Sequence, residues 1–169
     1  MDWIHYLPIV FLIVIILAAL LGRQRFPYRR QQWLFTKAEW RFYRSLKQAT
    51  EPELLIFAKV RIADVLSVHG PKARSQGWWK AFTRISSKHV DFVLCRPSTG
   101  EILCAIELDD RSHTKRDRQQ RDQFVNRAFA AAALPLLRIP TQRQYDTREL
   151  REFVRGALRP SNETREVAS

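Results

Sequence analysis

The sequence predicts a small α/β sandwich around a mixed sheet, preceded by one membrane-spanning helix. Three observations predict it. The runs HVDFVLC (89–95) and EILCAIEL (101–108) are β-branched and apolar, and Pro97-Ser98-Thr99-Gly100 between them is turn chemistry, so they read as a hairpin. A long helical pattern follows, and then the short apolar run LPLLRI. A strand, a crossover helix and a strand imply a parallel pairing beside Ala105–Asp109. At the other end, Trp3 to Leu21 contains no Asp, Glu, Lys or Arg. At about 1.5 Å per residue that run matches the roughly 30 Å hydrocarbon core of a bilayer.

Taken in order, residues 1–22 read as a signal anchor. Trp3 and Tyr6 suit one interface, and Arg23, Arg25, Arg29 and Arg30 crowd the other. The basic excess on that side predicts an inner-membrane protein with its amino terminus outside and its body cytoplasmic. A cleaved signal peptide needs a basic leader and a small-residue cleavage site, and here the flanks are reversed. Residues 23–33 form a basic linker set against anionic lipid.

The body is expected over 34–159. Thr36 and Glu39 have the spacing of a capping box, opening a helix to about Lys47 with Trp40, Tyr43 and Leu46 on its apolar side. Leu54–Val60 is a buried strand, and Ile62–Val68 continues it as helix or extended chain. Gly70–Gly77 is a basic loop, and Trp78–Ser86 is a helix carrying Trp78, Trp79, Phe82 and Ile85. Those aromatics are either core or a stacking surface. Thr114–Ala133 is the longest helix of the body, charged in its first half and apolar in its second. Leu134–Ile139 is a strand, Asp146–Leu158 an amphipathic helix, and 160–169 a polar tail.

The hairpin carries the chemistry. With Ser98, Thr99 and Gly100 as a three-residue loop, Pro97 faces Glu101, and counting back sets Asp91 opposite Glu107. Side chains alternate along a strand, so Asp109 shares that face and His113 follows just beyond. Three carboxylates so placed need a cation or a retained proton. One reading is a Mg²⁺ site, since oxygen ligands suit that ion and phosphate chemistry. The other is a solvated strand end whose acids pair with Arg111, Lys115 and Arg116. An arginine lodged among the three acids would remove the need for a metal.

Net charge is +12, and every lysine and arginine lies at or after Arg23, whereas only Asp2 of the acids precedes it. Such an excess points to a polyanion, nucleic acid or anionic membrane. Cys95 falls on the acid face and Cys104 on the opposite one, so they form neither a disulfide nor a zinc site, as fits a reducing compartment. No Gly-rich phosphate loop, G-x-S-x-G or repeat is present.

Asp91, Glu107-Leu108-Asp109, His113 and Arg121-Asp122, ending in LPLLRIP, resemble the bacterial domain-of-unknown-function family 2726. LFTKAEWRFYRSL and FAKVRIADVL fit it too, so the resemblance covers about Leu34 to Pro140. That family is similar in turn to the restriction-endonuclease-like superfamily, nearest its very-short-patch-repair-like branch. The resemblance implies Mg²⁺ ligands at Asp91, Glu107 and Asp109, with Glu39 as the helix-one acid. Glu39 also has its plain role in the capping box. His113 is the implied base for activating water. Asp109 stands where the commoner pattern has lysine, and Lys59, Lys88 or Arg138 is the candidate replacement. Catalytic roles are thus expected at His113, Asp109 and Lys88, with nucleic acid held by Arg121, Lys115, Arg116 and Arg138.

The expected function is a membrane-anchored, Mg²⁺-dependent nuclease, with DNA the first substrate class and RNA the second. The alternatives are the same scaffold without turnover, holding nucleic acid, or a membrane-associated interaction module. Protein partners are not legible.

Overall fold

A computed structural model describes residues 3–21, 26–109 and 116–159. The chain divides into two units, 1–34 and 35–169.

In the first unit a 3-10 turn, Trp3–Tyr6, leads into helix α1, Leu7–Leu21. Within the described residues the α-helix proper is 15 residues, roughly 22 Å at 1.5 Å per residue against a hydrocarbon core of about 30 Å. No helix among the described residues is long and apolar enough to cross a membrane. The transmembrane signal anchor expected over 1–22 is therefore overturned: the uncharged run is long enough, but its first turn is wound as 3-10 and the α-helix starts late.

The second unit is a mixed α/β body. Its elements are α2 (Lys37–Thr50), β1 (Leu55–Arg61), α3 (Ile62–Val65), α4 (Gln76–Ser86), β2 (His89–Cys95), β3 (Ile102–Asp109), α5 (Arg116–Ala131), β4 (Leu136–Pro140) and α6 (Thr147–Leu158). The four strands lie in the order β1-β2-β3-β4. β1–β2 and β2–β3 are antiparallel, and β3–β4 is parallel with Ala105 beside Leu136. The 160–169 tail lies outside the described residues.

Local chemistry sets the helix ends. Thr36 Oγ1 accepts from the Glu39 amide while Glu39 Oε2 accepts from the Thr36 amide, closing the capping box at 3.2 and 2.9 Å. Ser75 caps α4 and Asp146 caps α6. The core side of α2 is Phe42, Leu46 and Ala49, all fully buried. Trp40, expected on that side, is 48% exposed and only flanks Phe35 and Tyr43.

One core, on the α2/α6 side of the sheet, joins Phe42, Leu46, Phe92, Leu94, Cys104, Ile106, Leu150 and Val154. The other joins Ile62, Ile85, Val93, Cys95, Ala105, Val125 and Phe129 beneath α4 and α5. Arg151 fastens α6 to α2, donating to the Ala49 carbonyl at 2.7 Å and the Gln48 carbonyl at 3.3 Å. These carbonyls at the end of α2 otherwise lack helix partners.

The hairpin differs from its expected form in two places that cancel. The Arg96 amide donates to the Glu101 carbonyl and the Gly100 amide to the Arg96 carbonyl. The loop is thus one residue longer than expected, with Gly100 at φ 73. Leu103 is then extruded between the pairs Cys95–Ile102 and Leu94–Cys104, a bulge that restores the expected register from Leu94 onward.

Candidate functional site: a carboxylate cluster closed by two cations

Phe92 pairs with Ile106, so one step further the register sets Asp91 opposite Glu107. Regular pairing stops there, and the Asp91 carboxylate takes over: Oδ2 accepts from the Leu108 amide at 2.9 Å. On the other flank, β1 and β2 pair at Ala58–Phe92 and again at Val60–Val90. Between them Lys59 takes a left-handed backbone, φ 55. For a non-glycine residue this costs roughly 1–3 kcal/mol and is typical of functional positions. The twist delivers Lys59 Nζ to Glu39 Oε1 at 2.6 Å and to within 3.7 Å of Asp91 Oδ1.

A second group forms across β3, β4 and α5. The parallel register puts Arg138 beside Glu107. Its Nη1 donates to Asp109 Oδ1 at 2.7 Å and lies 3.5 Å from Glu107 Oε2. Its Nε donates to Asn126 Oδ1 at 3.0 Å, and Nη2 lies 3.6 Å from Asp122 Oδ1. Glu107 is buried at 8% exposure with this guanidinium beside it. For Glu39, burial raises the carboxyl pKa, but hydrogen bonds from Lys59 and Thr36 outweigh that and hold it below the usual glutamate value.

Several expected site residues are therefore close together, in two sets rather than one. Glu39 and Asp91 share Lys59; Glu107, Asp109 and Asp122 share Arg138. Among the described residues no three His, Cys, Asp or Glu side chains are grouped so as to hold a metal ion. The described acids, as placed, do not converge on one Mg²⁺ centre: Lys59 stands between Glu39 and Asp91, and Arg138 among Glu107, Asp109 and Asp122. Arg138, expected on nucleic acid, is engaged in this cluster. Lys88 is elsewhere, donating to the Arg84 carbonyl at 2.6 Å and facing the Phe124 ring. His113 and Lys115 lie outside the described residues, and Arg116 and Arg121 are placed only as backbone positions on α5.

Asn126 and the Leu108 amide were not foreseen. Asn126 had one signal: it lies four residues after Asp122, hence on the same side of α5. Both cysteines are buried on opposite faces of the sheet as expected, and burial pushes the Cys104 thiol up to about 12.

Compared with known proteins, the chain matches no curated protein and no solved structure. Residues 31–158 match one family profile, and on that match the chain belongs to the DUF2726 family of proteins of unknown function.

Proposed function

We propose that the folded unit is a nucleic-acid-binding domain on a restriction-endonuclease-like scaffold, with its acidic cluster closed by its own side chains. The observation that carries this is charge segregation. Among the described residues, Glu39, Asp91, Glu107, Asp109 and Asp122 gather on Lys59 and Arg138. These five acids stand in two sets, and the rest of the chain keeps a large basic excess, in keeping with a net charge of +12. A polyanion is the natural counterpart of such a surface. Support for the scaffold comes from a helix leading into three strands paired antiparallel, with α3 and α4 inserted after the first, and then a crossover helix to a parallel fourth strand, with acids at Glu39, Asp91 and Glu107 as in the resembling superfamily.

The test is fluorescence anisotropy of a labelled duplex across a salt series, with a cleavage assay in Mg²⁺ and Mn²⁺. Binding that weakens steeply with salt, without turnover, is expected. Failure to bind at low salt would sink the reading.

A second reading, metal-dependent phosphodiester hydrolysis, draws on one observation: Asp91 and Glu107 oppose each other on adjacent strands, with Lys59 near Asp91. It requires Arg138 to leave the acids. Cleavage that Glu107→Gln or Asp91→Ala abolishes, with nucleic-acid affinity kept or raised, would establish it over the first.

A further inference from the structure

A cleft of about 860 Å³ lies between α2 and the loop that joins β4 to α6, lined by Arg41, Arg44, Lys47 and Gln48 on one wall and Arg143 and Tyr145 on the other. We propose that this cleft is the track that holds the phosphate backbone, a site distinct from the acidic cluster. The proposal rests on the nucleic-acid reading above and gives it an address.

The wall on α2 is regular. Arg41, Arg44 and Lys47 recur every third residue, so their positions step along the helix by roughly 4.5 Å. All three are exposed, and no carboxylate among the described residues pairs with Arg41, Arg44 or Arg143. Lys47 alone has one, Glu51 at 3.6 Å, with both side chains about half exposed. An exposed pair of this kind is worth under about 1 kcal/mol, and a phosphate can displace it. Glu51 is also the only carboxylate among the lining residues.

The facing wall is held rigidly. Tyr145 Oη accepts from the Gln142 amide at 2.9 Å and donates to the Pro140 carbonyl at 3.4 Å, bracing the loop that carries Arg143. The Tyr145 ring stands edge-on to Phe42 of α2, centroids 5.1 Å apart, tying the two walls together. Asp146 then caps α6. The guanidinium forks therefore sit on braced supports, and such forks match phosphate oxygens two at a time.

Shape favours a polymer over a bilayer. A strand enters a concave groove, whereas a flat lipid surface meets only its rims. The Gln48 and Gln144 amides within the cleft offer donors and acceptors to sugars and base edges. The acids mark one end of the loop wall: the Thr141 amide that begins the Arg143 loop donates to the Asp109 carbonyl at 3.0 Å. Backbone phosphates are repelled from that end and drawn into the cleft.

The experiment compares the full chain with Arg41→Gln/Arg44→Gln/Arg143→Gln and with a control that removes three exposed charges elsewhere, Lys72→Gln/Arg74→Gln/Lys80→Gln. Thermal melts check that both variants fold; Arg143→Glu alone is the second cleft variant. The cleft variant is expected to lose about tenfold or more in duplex affinity, with the slope of log K against log salt shallower by about 2.7, from roughly 0.9 per phosphate contact. The control changes much less, and Arg143→Glu falls between them. Equal losses in cleft and control variants overturn the cleft while leaving nucleic-acid binding intact. No binding by the wild-type chain overturns the functional reading itself. Binding of the wild type to phosphatidylserine vesicles, lost in the cleft variant while duplex binding persists, reassigns the cleft to lipid headgroups and overturns the proposal.

Discussion

Arg138 Nη1 meets Asp109 Oδ1 at 2.7 Å, two residues along β3 from Glu107, which the parallel register sets beside Arg138. Removing the guanidinium leaves buried Glu107 without this neighbouring charge, so Arg138→Met lowers the unfolding free energy by about 3 kcal/mol. A double-mutant cycle with Asp109→Asn returns a coupling of about 1 kcal/mol, since Asp109 keeps 45% side-chain exposure and water screens it. Urea denaturation of the four proteins measures both; a coupling of zero would remove Arg138 as the neutralising charge.

Glu39 gives a pH signature. Its carboxyl titrates below the ordinary glutamate value when folded, so it favours the folded state wherever it is ionised there but protonated in the unfolded chain. That contribution is present above about pH 4.5 and is lost as pH falls through the lowered folded value. Glu39→Gln should therefore melt below wild type at pH 7, and the gap should close on acidification. A gap that persists unchanged in acid would show that the loss is not electrostatic.

The thiols report on both faces of the sheet. Cys95 is 4% exposed and Cys104 fully buried, and burial raises both thiol pKa values, Cys104 to about 12. Neither should react with Ellman's reagent at pH 8 in the folded chain, and both should react in guanidinium. Rapid labelling of the native protein would contradict the packing on one side of β2–β3.

Phe92 is fully buried and touches three aromatic rings, Phe35 and Phe42 at 5.8 and 5.4 Å and Tyr43 at 6.3 Å between centroids. Phe92→Ala should cost about 3–5 kcal/mol, read as a lower denaturation midpoint with little change in slope. A loss under about 1 kcal/mol would mean the site collapses without a cavity.

Much of the body was legible because its signals are local. The spacing of Thr36 and Glu39 is a complete cap in itself, and period-two alternation put Cys95 and Cys104 on opposite faces. Counting back from a three-residue loop gives the pairing of Asp91 with Glu107 because the longer loop and the bulge cancel, and neither the loop at Arg96 nor the bulge at Leu103 has a distinctive residue pattern. Clustering of acids was visible in the sequence, but their neutralisation was not. Lys59 reaches Asp91 only because its backbone turns left-handed, and Arg138 reaches Glu107 only through a parallel crossover. Both are properties of tertiary structure. The apolar run at Trp3–Leu21 misled for a different reason: composition gives a length, whereas winding decides how much of it is α-helix.

The reversal at residue 59 also has a consequence for how the protein melts. Before it, Ile56 and Ala58 of β1 face one hydrophobic interior, and after it Val60 faces the other. A single strand is thus rooted on both sides of the sheet, and neither interior can loosen without pulling on the peptide unit they share. The body should come apart in one cooperative transition, both sides together.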